Sequence, residues 1–198
     1  MSGVKIQLSA EEREMVNDPG IILTKNKIIE AVMDMYGGLS EAEVSFLNAH
    51  RNRLPEAVFR YPPKISKGEQ YRRLPWVMLD LPRVFDPEAT LAVRHFFWWG
   101  NTFSVAIQAT GTFKDMLVKK QDRWPDDTLV CVHATPWEHH FDSDNYIPVT
   151  AMDRGAWEEQ LEQKDFLKLA VAIPVSGWDN APAFLLRGFR SWMELLLT

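Results

Sequence analysis

Apolar positions along the chain recur with two different periods, and the change between them sets the predicted architecture. Ile28, Ile29, Val32, Met33 and Tyr36 lie at three- and four-residue spacing, which places them on one helix face. Ser9 with Glu12 and Ser40 with Glu43 each form a capping-box pattern, in which two side chains satisfy free amides at a helix start. Gly37-Gly38 reads as a stop, since glycine tolerates the left-handed C-terminal conformation. Val44 and Leu47 then supply the next apolar face. Residues 1–53 are therefore expected to be helical. Pro55, Pro62, Pro63 and Pro75 interrupt the next stretch of chain, and Pro62-Pro63 suits neither a helix interior nor a central strand. Residues 54–74 are expected to wrap the domain as irregular chain.

The period then drops to two. Residues 76–80 read as a short apolar strand closed by Pro82. Residues 91–99 and 102–110 are rich in β-branched and aromatic residues and flank Gly100-Asn101, the pattern of a two-residue hairpin loop. In that register Trp99 faces Thr102 and Phe97 faces Ser104. Alternation then puts Phe96, Trp98, Phe103, Val105 and Ile107 on a core side. Val93, His95, Phe97, Trp99, Thr102, Ser104, Ala106 and Gln108 fall on a mixed side. Helices are expected over 111–121 and 155–163, and strands over 128–134 and 167–174. The tail has an apolar stripe of Leu185, Phe189, Trp192, Met193 and Leu196, which predicts a C-terminal helix over 181–197. The expected fold is α+β: an antiparallel sheet of about four to five strands over 75–175, with helices at both ends packed on it in one domain.

Composition adds constraints. A chain of 198 residues fits a single domain. Eight tryptophans are numerous, and each needs a partner for its N–H wherever it is buried. No apolar run is long enough to span a bilayer, and the N-terminal stretch lacks an apolar signal core. The single cysteine, Cys131, forms no internal disulfide. A reduced, cytoplasmic protein with no membrane partner is the expectation. The net charge of -5 is uneven: residues 51–73 hold seven basic side chains against Glu56 and Glu69, a local net of +5. Such a segment suits an anion, with Lys67, Arg72 and Arg73 as the charges and Tyr71 as a stacking ring. Nucleic acid is disfavoured, because the rest of the chain is acidic and no binding motif accompanies the patch.

The string KGEQYRRLPWVMLDLPRVF with the later RHFFWWGNTFS, within residues 67–104, resembles the central segment of a bacterial protein family of unknown function. The resemblance implies a compact bacterial domain. It carries no activity, cofactor or residue role.

Four groupings bear on chemistry. Glu138, His139, His140, Asp142 and Asp144 crowd the segment 136–145 and are ligand types for zinc or iron, although their spacing matches no metal motif. Cys131 and His133 share a strand face, but two residues along a strand separate Cα atoms by ~6.6 Å; an inert buried thiol is the better account. Arg94 falls on an apolar side and requires a partner, for which Asp80 is the candidate. On the mixed face, His95 and Ser104 are expected as diagonal neighbours that line a pocket with Phe97, Trp99 and Gln108. The expected function is a non-catalytic module that binds a small ligand, or a second copy as a homodimer, through this aromatic sheet face; no cofactor is called for. The alternative is a metal-dependent hydrolase built on the EHHFDSD segment.

Overall fold

The computed structural model describes residues 7–86 and 88–198. Its centre is a seven-stranded antiparallel sheet in the order β1-β2-β3-β4-β7-β5-β6. The strands are β1 (Lys64–Tyr71), β2 (Leu74–Phe85), β3 (Thr90–Trp98), β4 (Thr102–Thr110), β5 (Leu129–Cys131), β6 (Tyr146–Pro148) and β7 (Phe166–Pro174). The helices are α1 (Ala10–Asn17), α2 (Pro19–Ala49), α3 (Gly111–Val118), α4 (Arg154–Gln163) and α5 (Ala181–Glu194). The α+β class is as read from the sequence, but the sheet has more strands than expected and two of the helices lie within the chain's middle.

One face of the sheet carries the helices. Ile29, Val32, Tyr36, Leu39 and Leu47 of α2 meet Val77 and Leu79 of β2, and Leu185, Phe189, Trp192 and Met193 of α5 close over β3 and β4. Trp192 is fully buried, and its indole N–H donates to the Val105 carbonyl at 3.3 Å, so its polar atom is satisfied. Gly188 permits this packing: a Cβ there would lie 2.4 Å from Val105 Cγ1, so α5 approaches β4 more closely than any side chain allows.

Several expectations need correction. Gly37-Gly38 does not end a helix; α2 runs unbroken through both. Two glycines cost a helix ~1 kcal/mol each, and continuous burial of the stripe from Ile29 to Leu47 outweighs that. The segment 54–74 is not wholly irregular. After Pro63 the chain enters β1, an edge strand in which Lys64 and Lys67 point outward, at least partly exposed. The β1–β2 turn consists of Arg72 and Arg73, both left-handed (φ 48° and 66°), as a two-residue type I′ turn demands. Neither residue is of the Gly or Asn type that normally marks such a turn. β2 also continues past Pro82, with a register shift between Asp80 and Arg83.

The hairpin at Gly100 is real but its loop is longer by one residue. Trp98, not Trp99, pairs with Thr102, and residues 99–101 form the loop around Gly100 at φ 71°. The Asn101 amide donates to Trp98 O, and its side chain donates to Trp99 O at 2.7 Å. A one-residue slip turns the partner strand over. The core face therefore holds Val93, His95 and Phe97 with Phe103, Val105 and Ile107. The opposite face holds Arg94, Phe96 and Trp98 with Thr102, Ser104, Ala106 and Gln108. No helix among the described residues is long and apolar enough to cross a membrane.

Candidate functional site

The face of the sheet away from α2 and α5 is covered by a loop, residues 132–145, between β5 and β6. Its floor is unusual. Asp80 and Arg94 sit opposite each other on β2 and β3 and form a forked pair, with Arg94 Nε 2.7 Å and Nη2 3.1 Å from the two carboxylate oxygens. This is the partner that the sequence assigned to Arg94. Further along, Gln108 pairs with Lys168 across β4 and β7, and both are buried.

Lys168 fastens the loop to the floor. Its ammonium donates to Pro136 O at 2.8 Å and Glu138 O at 2.6 Å. Burial pulls its pKa down to about 8, since a low-dielectric surrounding disfavours the charged form. Tyr71 clamps the same loop from the side: its hydroxyl accepts the amides of His139 (2.7 Å) and His140 (3.0 Å) and donates to Glu138 Oε2 at 2.9 Å. Burial, chiefly, raises its pKa to about 12. The His139 ring lies over Phe96 with centroids 4.8 Å apart. Burial and the flanking Lys168 and Arg94 charges hold that imidazole well below its usual range, so it is neutral at pH 7.

Between the loop and the strands opens a cleft of about 470 Å³, lined by Tyr71, Trp76, Met78, Phe96, Trp137 and His139. That is the size and composition of a small-molecule site: mostly aromatic, with a few polar groups converging. Trp76 lies across β1 because position 68 is glycine; a Cβ there would fall 2.6 Å from the indole. Trp137 is 54% exposed, a wall presented to solvent. A second cleft of about 420 Å³, around Trp124, Met152 and Trp157, is also apolar, and exposed polar residues line both: Gln121, Asp122, Asp153 and Arg154 here, Glu69 and Gln70 in the first. The first also has the partly buried polar side chains of Tyr71 and His139, each held by hydrogen-bond contacts.

The predicted site residues separate. His95 and Phe97 lie on the helix-covered face, with His95 at 0% exposure, whereas Ser104 and Gln108 lie on the loop-covered face. His95 and Ser104 are therefore not neighbours, and Ser104 donates to Phe96 O at 3.4 Å. Trp99 packs, partly buried, against the main core. Of the anion set, Tyr71 joins the cleft. Arg72 pairs with Asp142 at 3.0 Å, and Lys67 and Arg73 lie on the strand and turn, outside the cleft. Of the metal set, His140, Asp142 and Asp144 converge, with one ligand atom from each within 4.8 Å of the others. His139 turns away to Phe96, and Glu138 approaches the other nitrogen of His140 at 3.7 Å. Cys131 is buried against Asn145 Oδ1, and burial pushes its thiol pKa up, as an inert cysteine requires.

Sequence reasoning passed over Trp76, Trp137 and Lys168. For Lys168 the signal was present: a lone charge inside the apolar strand FLKLAVAIP, where an unpaired ammonium is costly. It also passed over what meets His95. Glu43 of α2 comes within 2.7 Å of His95 Nε2, and both side chains are 0% exposed beside the buried Tyr36. The contact is close but misaligned, so no atom of the Glu43 carboxylate or the His95 ring has a directed hydrogen bond.

The chain is an α+β protein with an aromatic, loop-covered cleft on one face of an antiparallel sheet. No family model, curated protein or solved structure matches the chain.

Proposed function

We propose that the chain is a binding module whose loop-covered cleft takes a small molecule bearing a flat, largely apolar ring. The observation that carries the reading is the cleft's set of rings, Tyr71, Trp76, Phe96 and Trp137, held open by a glycine under Trp76. Rings with polar edges favour stacking and edge contacts, worth ~0.5–1.5 kcal/mol beyond area. His139 contributes its ring face, since its two nitrogens already lie 3.5 Å from Arg94 Nη1 and Lys168 Nζ. The groups around it serve the loop: Lys168 on two carbonyls, Tyr71 on two amides, Arg94 on Asp80.

Saturation-transfer NMR with indole and quinoline as probes tests this. The wild type should give transfer to both. Gly68→Ala, which displaces Trp76, and Trp137→Ala, which removes an exposed wall, should each weaken binding about three- to tenfold, the scale of one lost ring contact. Both variants should keep the wild-type circular dichroism. Equal transfer in wild type and both variants would remove the cleft as the site.

A second reading rests on the convergence of His140, Asp142 and Asp144. One imidazole and two carboxylates form a set for a divalent metal such as zinc or manganese, and a bound metal would activate water for hydrolysis. Metal analysis of the purified protein, with and without supplementation, checks it. About one equivalent, lost in His140→Ala, supports the reading; no retained metal in either case eliminates it.

A further inference from the structure

The described residues include ten large apolar side chains that are exposed, and six of them, Leu8, Met15, Val16, Ile21, Ile22 and Leu23, fall within residues 8–23. Helix α1 has no buried residue, and the first buried residue of α2 is Ile29. Yet the apolar stripe of α2 does not start at Ile29. Ile22 precedes Ile29 by seven residues and Ile21 precedes Ile28 by seven, so both lie on the helix face that reaches the core. That face continues for ~15 Å before Ile29, at ~1.5 Å per residue, and from Pro19 to Lys27 every residue but the partly covered Lys25 is exposed among the described residues. The arm is tied to the body by Lys25, which pairs with Glu69 of β1 at 2.8 Å. An apolar concentration of this kind on an otherwise polar surface marks an interaction site.

The charges identify the occupant. α1 is acidic, with Glu11, Glu12 and Glu14 against Arg13, whereas the start of α2 has no acid between Pro19 and Lys27 and carries Lys27 beside Lys25, which is already paired with Glu69. Two arms laid antiparallel about a two-fold axis put Glu11 and Glu14 of one copy along Lys27 of the other, with the apolar rows facing. A two-fold contact requires this self-complementarity. A specific contact needs roughly 1,000 Å² or more of total buried surface, a demand that the six exposed apolar side chains of each arm are placed to meet. The acidity of α1 opposes docking on an anionic lipid surface. We infer that residues 8–27 form a homodimer contact between the N-terminal arms of two copies of this chain. The inference is independent of the cleft and uses a surface different from the aromatic sheet face.

Light scattering coupled to gel filtration on the full chain tests it. The wild type should run at twice its 22.9 kDa mass at ~100 µM. The double variant Val16→Glu/Ile22→Glu should run at 22.9 kDa with an unchanged circular dichroism spectrum, because both side chains are mostly exposed on their own chain. The spectrum separates lost assembly from lost folding. A monomeric wild type, or a variant that stays dimeric, overturns the assignment. A monomeric wild type that co-sediments with vesicles of anionic phospholipid would give the arm to a membrane instead.

Discussion

Glu43→Ala should lower the unfolding free energy by about 3–5 kcal/mol, measured by urea denaturation at pH 7. Glu43 and His95 are both 0% exposed, at the seam between α2 and β3, with Phe189 of α5 stacked beside the imidazole. Removing the carboxylate leaves His95 alone in an apolar surrounding, and the missing side chain leaves a cavity besides. The control is Glu43→Leu with His95→Leu. Apolar residues of similar volume often match or exceed a buried charge pair in stability, so the double variant should recover most of the loss. A Glu43→Ala cost under about 1 kcal/mol would show that the contact contributes no more than an exposed pair does.

The second large effect is alkaline. Lys168 has its pKa lowered to about 8 in the fold, against an ordinary value of 10.5. Below pH 8 the folded protein bears the full cost of a buried ammonium. Between pH 8 and 10.5 the unfolded chain binds more protons than the folded one, so this group's contribution makes stability rise with pH. The gain amounts to about 3 kcal/mol across the window. Cys131 acts in the opposite sense, because its raised thiol pKa makes the unfolded chain lose its proton first. Because Lys168 and Cys131 act on each other, the measurement is the difference between Cys131→Ala and Cys131→Ala/Lys168→Met at each pH, with Cys131→Ala standing as the wild type for Lys168. That difference should move in favour of the wild type as pH rises; a flat difference would mean that Lys168 is hydrated.

What the sequence made legible was periodicity. The stripe in α5, the capping box at Ser9, the buried strand β7 and the existence of the hairpin all follow from local spacing. What it hid was register. The residues Gly100-Asn101 permit a two- or a three-residue loop, and the choice decides which rings face the helices. That choice is made by long-range contacts: Val175 donates its amide to Asn101 O, and Trp99 donates to Pro75 O. One residue of slip sent His95 and Phe97 to the core and brought Phe96 to the cleft. The turn at Arg72-Arg73 was hidden for a different reason. Left-handed arginines cost ~1–2 kcal/mol each, so local preference argues against the turn; the β1–β2 ladder and the Arg72–Asp142 pair hold it in place. The segment 136–145 was legible as a place of interest. Its division between a cleft wall and a cation-type cluster needed the fold.

Gly188 carries a mechanical consequence. With α5 seated against Val105 and Val171 at a separation only glycine permits, the helix lacks room to slide or roll along the sheet. The helical layer therefore acts as a rigid anvil behind β3 and β4. The opposite side is built differently: there a lysine and a tyrosine tether the cover by directed polar bonds instead of packed methyl groups.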